Sequence, residues 1–182
     1  MSAITAHVIY ALAWLSFAAG HSWLATARGR RFLEAQVGRG HRLAHNLIAV
    51  IHLGLVGLIG LIVFRDAPSY DLPGVVIGLM WGAEIAGWGL LLAGGRAYDL
   101  RRFMGLGGDP DSESLHMGGF HAYVRHPLYS AGFLILWGAV RGPFGLATAV
   151  WGTLYLIIGS RFEERRLVRI HGDTYRYYRA RV

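Results

Sequence analysis

Five apolar runs, parted by breaks that carry arginine, glycine and proline, constrain this chain more than any other feature of it. Residues 3–25 are apolar for about the length a hydrocarbon core requires, interrupted by His7, Ser16 and the pair His21-Ser22. Residues 43–64 repeat the pattern with His45, Asn46 and His52 as the strongly polar positions, and residues 72–93 do so with Glu84 near the centre, between Trp81 and Trp88. Two shorter runs, 127–140 and 144–160, are joined by Gly142-Pro143, a sharp-turn signal. An apolar hairpin of this kind can cross a bilayer and return, bringing both of its flanks to one face. The expected fold is all-α, a polytopic membrane helix bundle with about five transmembrane helices in a single integral-membrane domain. Within it residues 1–95 hold three spans and a basic loop, and residues 96–182 hold the chemistry. A re-entrant hairpin is the alternative to the last two crossings.

Charge gives this arrangement an internal check. All eighteen basic residues are arginine, against eleven acids, for a formal charge of +7. Such a balance raises nucleic acid as a partner. The arginines fall between the apolar runs rather than along one stripe, however, which favours membrane lipids and their anionic headgroups over nucleic acid. With the amino terminus outside and the carboxy terminus in the cytoplasm of a bacterial inner membrane, every arginine except Arg65 and Arg141 lies on the cytoplasmic side, as the positive-inside rule expects. The first run has no positive residue ahead of it and arginines behind it, the reverse of a cleaved signal, so it is expected to stay as an anchor. Residues 28–42 carry five arginines around Phe32, Leu33 and Val37, which suits either an amphipathic helix in the headgroup layer or a plain loop.

Residues able to do chemistry cluster late in the chain. No cysteine is present, which removes thiolate metal sites and a cysteine nucleophile. Residues 96–124 form a polar connection rich in glycine, including Gly118 and Gly119, where backbone can approach a ligand closely. Arg125-His126-Pro127 sets a fixed cation and a titratable ring at a helix start, where exposed backbone amides favour an anionic group. Beyond the hairpin, Glu163-Glu164 precedes Arg165-Arg166, and paired carboxylates suit a ribose diol or an ammonium group. The plain alternatives are an interfacial anchor for the first cluster and a salt-bridged helix end for the second. Glu84 is expensive inside a membrane unless paired, protonated or in a wet cavity, so it either bonds a neighbouring helix or borders an acceptor pocket. His21, His45 and His52 can ligate haem iron, but they lack the close spacing of a ligand pair, and no metal site is expected.

Three stretches carry a resemblance. Gly119-Phe120-His121-Ala122-Tyr123-Val124-Arg125-His126-Pro127-Leu128-Tyr129, then Arg161-Phe162-Glu163-Glu164-Arg165-Arg166-Leu167, then His171-Gly172-Asp173-Thr174-Tyr175-Arg176-Tyr177-Tyr178, stand in the order of a known carboxy-terminal signature. This region resembles the integral-membrane methyltransferase superfamily, which includes isoprenylcysteine carboxyl methyltransferase and phospholipid methyltransferases. Tyr98-Asp99-Leu100-Arg101-Arg102-Phe103-Met104-Gly105-Leu106 and His21-Ser22 are similar to the methanethiol S-methyltransferase and NnrU-like branch. The resemblance implies a methyltransferase that binds S-adenosyl-L-methionine from the cytoplasmic side. It carries over Tyr123, Arg125, His126, Tyr129, Glu163 and Glu164 as cofactor-site residues, with backbone contacts from Gly118 and Gly119. Arg125, His126 and Glu84 are the candidate catalytic residues, Glu84 with Trp88 bordering the pocket of a small thiol or lipid acceptor. The rival expectation is a haem-binding NnrU-like protein of nitrogen-oxide metabolism or isomerisation, with ligands among the three histidines. Methyl transfer from a sulfonium disperses charge, so a water-poor apolar bundle suits it physically.

Overall fold

A computed structural model describes residues 1–95 and 115–182. The described residues are helical, without a strand among them, and hold four helices long and apolar enough to cross a membrane, plus a shorter apolar one. The expectation of an all-α polytopic membrane helix bundle is borne out. The described residues divide into two compact units, one of residues 1–68 and the other of 69–95 and 115–182.

In the first unit α1 (Ala3–Leu24) is capped by the Ser2 hydroxyl, which accepts from the Thr5 N–H at 3.1 Å. The Arg28–Arg42 stretch is a helix rather than a plain loop: α2 (Ala27–Val37), capped by Thr26, leads through a 3-10 turn at Gly38–Gly40 into α3 (His41–Val63). Helices α1 and α3 pack through aromatic edges, with Phe64 against Tyr10 at 5.6 Å and against His7 at 5.0 Å. Further along, Phe17 meets His52 at 5.5 Å and His21 meets His45 at 4.8 Å.

The second unit is built on glycine. Helix α4 (Gly74–Gly95) buries little besides Gly87 and Gly94 and exposes Val75, Leu79, Ile85 and Leu92. In water such a face would be an aggregation liability; against lipid tails it is ordinary. Helix α5 (Pro127–Gly138) lies against α4 with almost no space between backbones: a Cβ on Gly138 would come within 2.6 Å of the Glu84 nitrogen, and one on Gly87 within 2.9 Å of the Ala131 carbonyl. Small residues let helices approach this closely where apolar burial gives no net drive.

Helix α6 (Pro143–Arg179) runs back along α5. Its 37 residues extend about 55 Å at about 1.5 Å each, well beyond a hydrocarbon core of about 30 Å. The charged part after Ser160 therefore projects as a polar extension of the apolar part. The two helices are locked in register where Trp137 Nε1 donates to Thr153 Oγ1 at 3.0 Å and where Leu136 and Leu156 fill the space beside Gly152 and Gly132. Near its end α6 bends at Gly172, whose φ of +55° favours glycine, and the last turns head off in a new direction.

At the turn between α5 and α6 the Arg141 guanidinium reaches Glu84 at 3.7 Å, donates to the carbonyls of Gly138 and Val140, and stands 5.5 Å over the Trp81 ring. The Tyr70 N–H donates to the Arg141 carbonyl at 2.9 Å, tying the entry to α4 to the same turn. Glu84 thus has a partner, which answers the cost of a carboxylate in an apolar helix. An unpaired charge is worse than a neutral pair of the same shape. Arg141→Leu is accordingly expected to cost about 2 kcal/mol and Glu84→Gln about 1 kcal/mol, both pair members being part-exposed, in thermal unfolding in one detergent.

Candidate active site

Local sequence fixes the entrance. Pro127 takes the first position of α5, where its missing N–H is no loss, and it is fully buried. A residue before proline is held out of the helical region, so His126 becomes the N-cap with φ −128° and ψ 71°. Its ring stacks on that of Tyr129, with centroids 5.2 Å apart and planes 18° from parallel. Upstream, a 3-10 turn at Gly119–Ala122 begins on Gly119 at φ +61°, and the Gly118 carbonyl accepts from the His121 N–H at 3.2 Å.

The hairpin brings Arg125 and His126 to Glu163 and Glu164. Arg125 Nε donates to Glu164 Oε1 at 2.8 Å, and His126 Nε2 lies 3.4 Å from the same oxygen. Since a carboxylate only accepts, that contact is a hydrogen bond when Nε2 carries the proton. On its other side His126 Nδ1 is 3.7 Å from Glu163 Oε2. Arg179, beyond the bend at Gly172, adds a third basic group 3.9 Å from Glu164 Oε2. Burial works against charge on the Glu164 carboxyl, but the hydrogen bonds and positive charges of Arg125 and His126 outweigh it and hold the group below its ordinary range.

Two tyrosines of the last turns complete the polar layer. Tyr178 donates to the His121 carbonyl at 2.6 Å, joining the end of α6 to the 3-10 turn. Tyr175 is almost wholly buried; burial first, and then the charge of Glu164, push its hydroxyl up to about 12, so it stays protonated. That hydroxyl has no hydrogen-bond partner among the described residues. The His121 imidazole is lowered by burial, then by His116 and His126, against an opposing pull from Glu163, so it is neutral near pH 7.

In front of this layer a cleft of about 290 Å³ opens between α5 and α6. Its rim is Tyr123, Arg125, His126 and Ser160, and its apolar wall includes Phe133, Leu156 and Ile157. Tyr123 stands 84% exposed, its ring bare to a ligand. A site of this make-up, a cation and aromatic faces above an apolar wall, accepts a polar molecule with a flat ring or an amphiphile.

Not every expected residue joins it. Glu84 contacts Gly138 at the other end of α5 and pairs with Arg141, so the twelve residues of α5 put it about 18 Å from His126. Of the two expectations for it, a bond to a neighbouring element and a border of the acceptor pocket, the structure shows the first, through Arg141 at the hairpin turn. His21, His45 and His52 belong to the first unit. Ser16 donates its one proton to the Ala13 carbonyl, so its oxygen accepts from His52 Nε2 at 3.0 Å. No group of three or more ligating side chains able to hold a metal exists among the described residues. Tyr98 to Leu106 lie outside the described residues. Arg179, Ser160 and Phe133 were missed in the sequence, where nothing marks them. Tyr175 and Tyr178 were visible in the last motif, though without a role.

Fold and site together define a helical protein of membrane type with an arginine–imidazole–carboxylate cluster at one end of a hairpin. No family model matches the chain, and no solved structure does. Among curated proteins it is similar to methanethiol S-methyltransferases, in keeping with the membrane methyltransferase resemblance drawn from its motifs. That of Crocosphaera subtropica is 41% identical over 64 residues, 35% of this chain and 25% of that protein. Methanethiol S-methyltransferase 2 of Bradyrhizobium diazoefficiens is 29% identical over 124 residues, 63% of this chain and 48% of that protein. One from a Pseudomonas species is 27% identical over 183 residues, 91% of this chain and 67% of that protein. The chain spans about a quarter of the length of the first of these relatives.

Proposed function

We propose that this chain is a methyltransferase of the inner membrane that uses S-adenosyl-L-methionine and methylates a small thiol or a lipophilic acceptor, with its site facing the cytoplasm. One observation carries the reading: segments 38 and 39 residues apart in the chain meet in charge-assisted contacts at the mouth of a cleft. The names of the similar proteins favour a thiol as acceptor.

The residues present fit the donor. Tyr123 offers an exposed ring for the adenine, and Arg125 with the first amides of α5 suits the amino-acid carboxylate. Glu164 suits the amino group or ribose, with backbone contacts from Gly118 and Gly119. When bound, the donor supplies an electrophilic methyl carbon on a sulfonium. Arg125, His126 and Tyr129 orient it, while Phe133, Leu156 and Ile157 keep water from the wall where an apolar acceptor lies. Excluding water strengthens each of these electrostatic contacts. In this reading Glu84 acts at a distance, by holding the hairpin turn through Arg141.

Calorimetry on the full chain in detergent tests the proposal. S-adenosylhomocysteine is expected to bind the unaltered protein and to bind Arg125→Gln at least about tenfold more weakly, the loss of one charge-assisted hydrogen bond. Absence of binding to the unaltered protein, with no methylated product from methanethiol, overturns it. A Soret band in the same preparation, lost in His21→Ala or His45→Ala, speaks for the haem-binding alternative.

A further inference from the structure

Adjacent glutamates in α6 stand in unlike surroundings. Glu164 has a side chain 14% exposed and three basic groups on its two oxygens: Arg125, His126 and Arg179. Its charge is already answered. The Glu163 side chain is 40% exposed, and among the described residues its basic neighbour is His126, whose Nδ1 lies 3.7 Å away and makes an ion pair with it when the ring is protonated. The imidazole therefore sits between a carboxylate clamped by arginines and one within reach of solvent. It lines the cleft, and stacking on Tyr129 sets its plane.

A thiol acceptor needs such a pair. The nucleophile in methyl transfer to sulfur is the thiolate, and a thiol with a pKa of about 8.5 is mostly protonated at neutral pH. We propose that Glu163 and His126 form the proton acceptor for the thiol, Glu163 taking the proton and passing it to His126 Nδ1. This rests on the methyltransferase reading above and gives Glu163, which the resemblance assigns to the donor, to the acceptor side of the reaction. The S–H bond breaks and its proton ends on the imidazole. The electron pair left on sulfur forms the new bond to the methyl carbon. The bond that breaks is the donor's own C–S bond, whose pair stays with the departing thioether. An imidazolium formed there lies between two carboxylates, with Nδ1 3.7 Å from Glu163 and Nε2 3.4 Å from Glu164. A carboxylate alone is far too weak a base to hold a thiol proton; the ring behind it narrows the gap. The other charged or titratable groups facing the pair are Arg125, Tyr129, Glu164, Arg179, His121 and Tyr175.

Glu163→Gln separates this role from donor binding. Its calorimetric affinity for S-adenosylhomocysteine is expected to equal that of the unaltered chain, which also shows that it folds. With an alkanethiol its kcat/KM is expected to fall about 10²-fold, the usual worth of a general base. With an aryl thiol, whose proton is already lost at neutral pH, most of that fall is expected to vanish. Without any turnover, the ultraviolet thiolate absorbance of an alkanethiol bound to the S-adenosylhomocysteine complex is expected in the unaltered chain and not in the variant. Equal losses with both thiols, unchanged thiolate absorbance, or a lost affinity for S-adenosylhomocysteine would each overturn the assignment. Failure of the unaltered chain to bind S-adenosylhomocysteine removes the underlying methyltransferase reading instead.

Discussion

Glu164→Gln is expected to abolish measurable S-adenosylhomocysteine binding and to lower the thermal stability of the chain at neutral pH by about 2 kcal/mol. The carboxylate holds Arg125 at 2.8 Å, His126 at 3.4 Å and Arg179 at 3.9 Å, so its neutral replacement leaves three basic groups facing one another. Breaking a buried pair by removing one partner costs about 3–5 kcal/mol. Arg125 is 33% exposed, and water takes up part of the imbalance, which brings the figure down. The pH dependence identifies the group. Its pKa is lower in the folded than in the unfolded chain, so its stabilisation is complete above the unfolded value of about 4 and is lost as pH falls through the lower folded one. The stability gap between the unaltered chain and Glu164→Gln should therefore be constant near neutrality and close on the acid side. A gap that persists unchanged into strong acid, or donor affinity equal to that of the unaltered chain, contradicts the role given to Glu164.

How much of the fold and site is legible in the amino-acid sequence depends on the range of the interaction. The spans are, because a run of apolar residues is a local signal: the expected 3–25 is α1 at Ala3–Leu24, and the expected 43–64 is α3 at His41–Val63. Pro127 and Gly142-Pro143 announce the starts of α5 and α6 for equally local reasons. The meeting of Arg125-His126 with Glu163-Glu164 follows from topology alone, since a hairpin returns its flanks to one face. Which atoms meet does not follow. That depends on the register of α5 against α6, set by Leu136 and Leu156 beside Gly152 and Gly132, and no spacing rule in a sequence fixes such a register. Glu84 shows the limit. Its cost inside an apolar helix is plain, but its partner lies 57 residues on, in a turn where Arg141 reads as one more outward-facing charge. Arg179 is hidden for another reason: only the bend at Gly172 turns it toward Glu164.

Gly138→Leu is expected to be the most damaging single change in the second unit, costing about 3 kcal/mol or more and taking donor binding with it. A Cβ at this position would lie 2.6 Å from the Glu84 nitrogen, 2.7 Å from its Cβ and 2.8 Å from its Cα. Two of those three atoms are α4 backbone, which cannot swing aside as a side-chain tip can, so the helices must part. Gly87 is the reciprocal position: a Cβ added there would lie 2.9 Å from the Ala131 carbonyl and from the Ile135 nitrogen. Overpacking in a well-packed core costs about 1–3 kcal/mol, and more where the backbone must move. Separation matters doubly here, because α5 has 12 residues, about 18 Å, and is too short to cross a hydrocarbon core of about 30 Å on its own. Its place is set by α4 on one side and α6 on the other, and its first residues carry His126 into the cluster. Gly89→Leu is the matched control: nothing lies within 4 Å of its added Cβ, and exchanging a helical glycine for leucine gains up to about 1 kcal/mol in helix propensity. Thermal unfolding of both variants in one detergent, with S-adenosylhomocysteine titrations alongside, decides the matter. If Gly138→Leu unfolds at the temperature of Gly89→Leu, then α4 and α5 are not in backbone contact, and the support for the site's position falls with that contact.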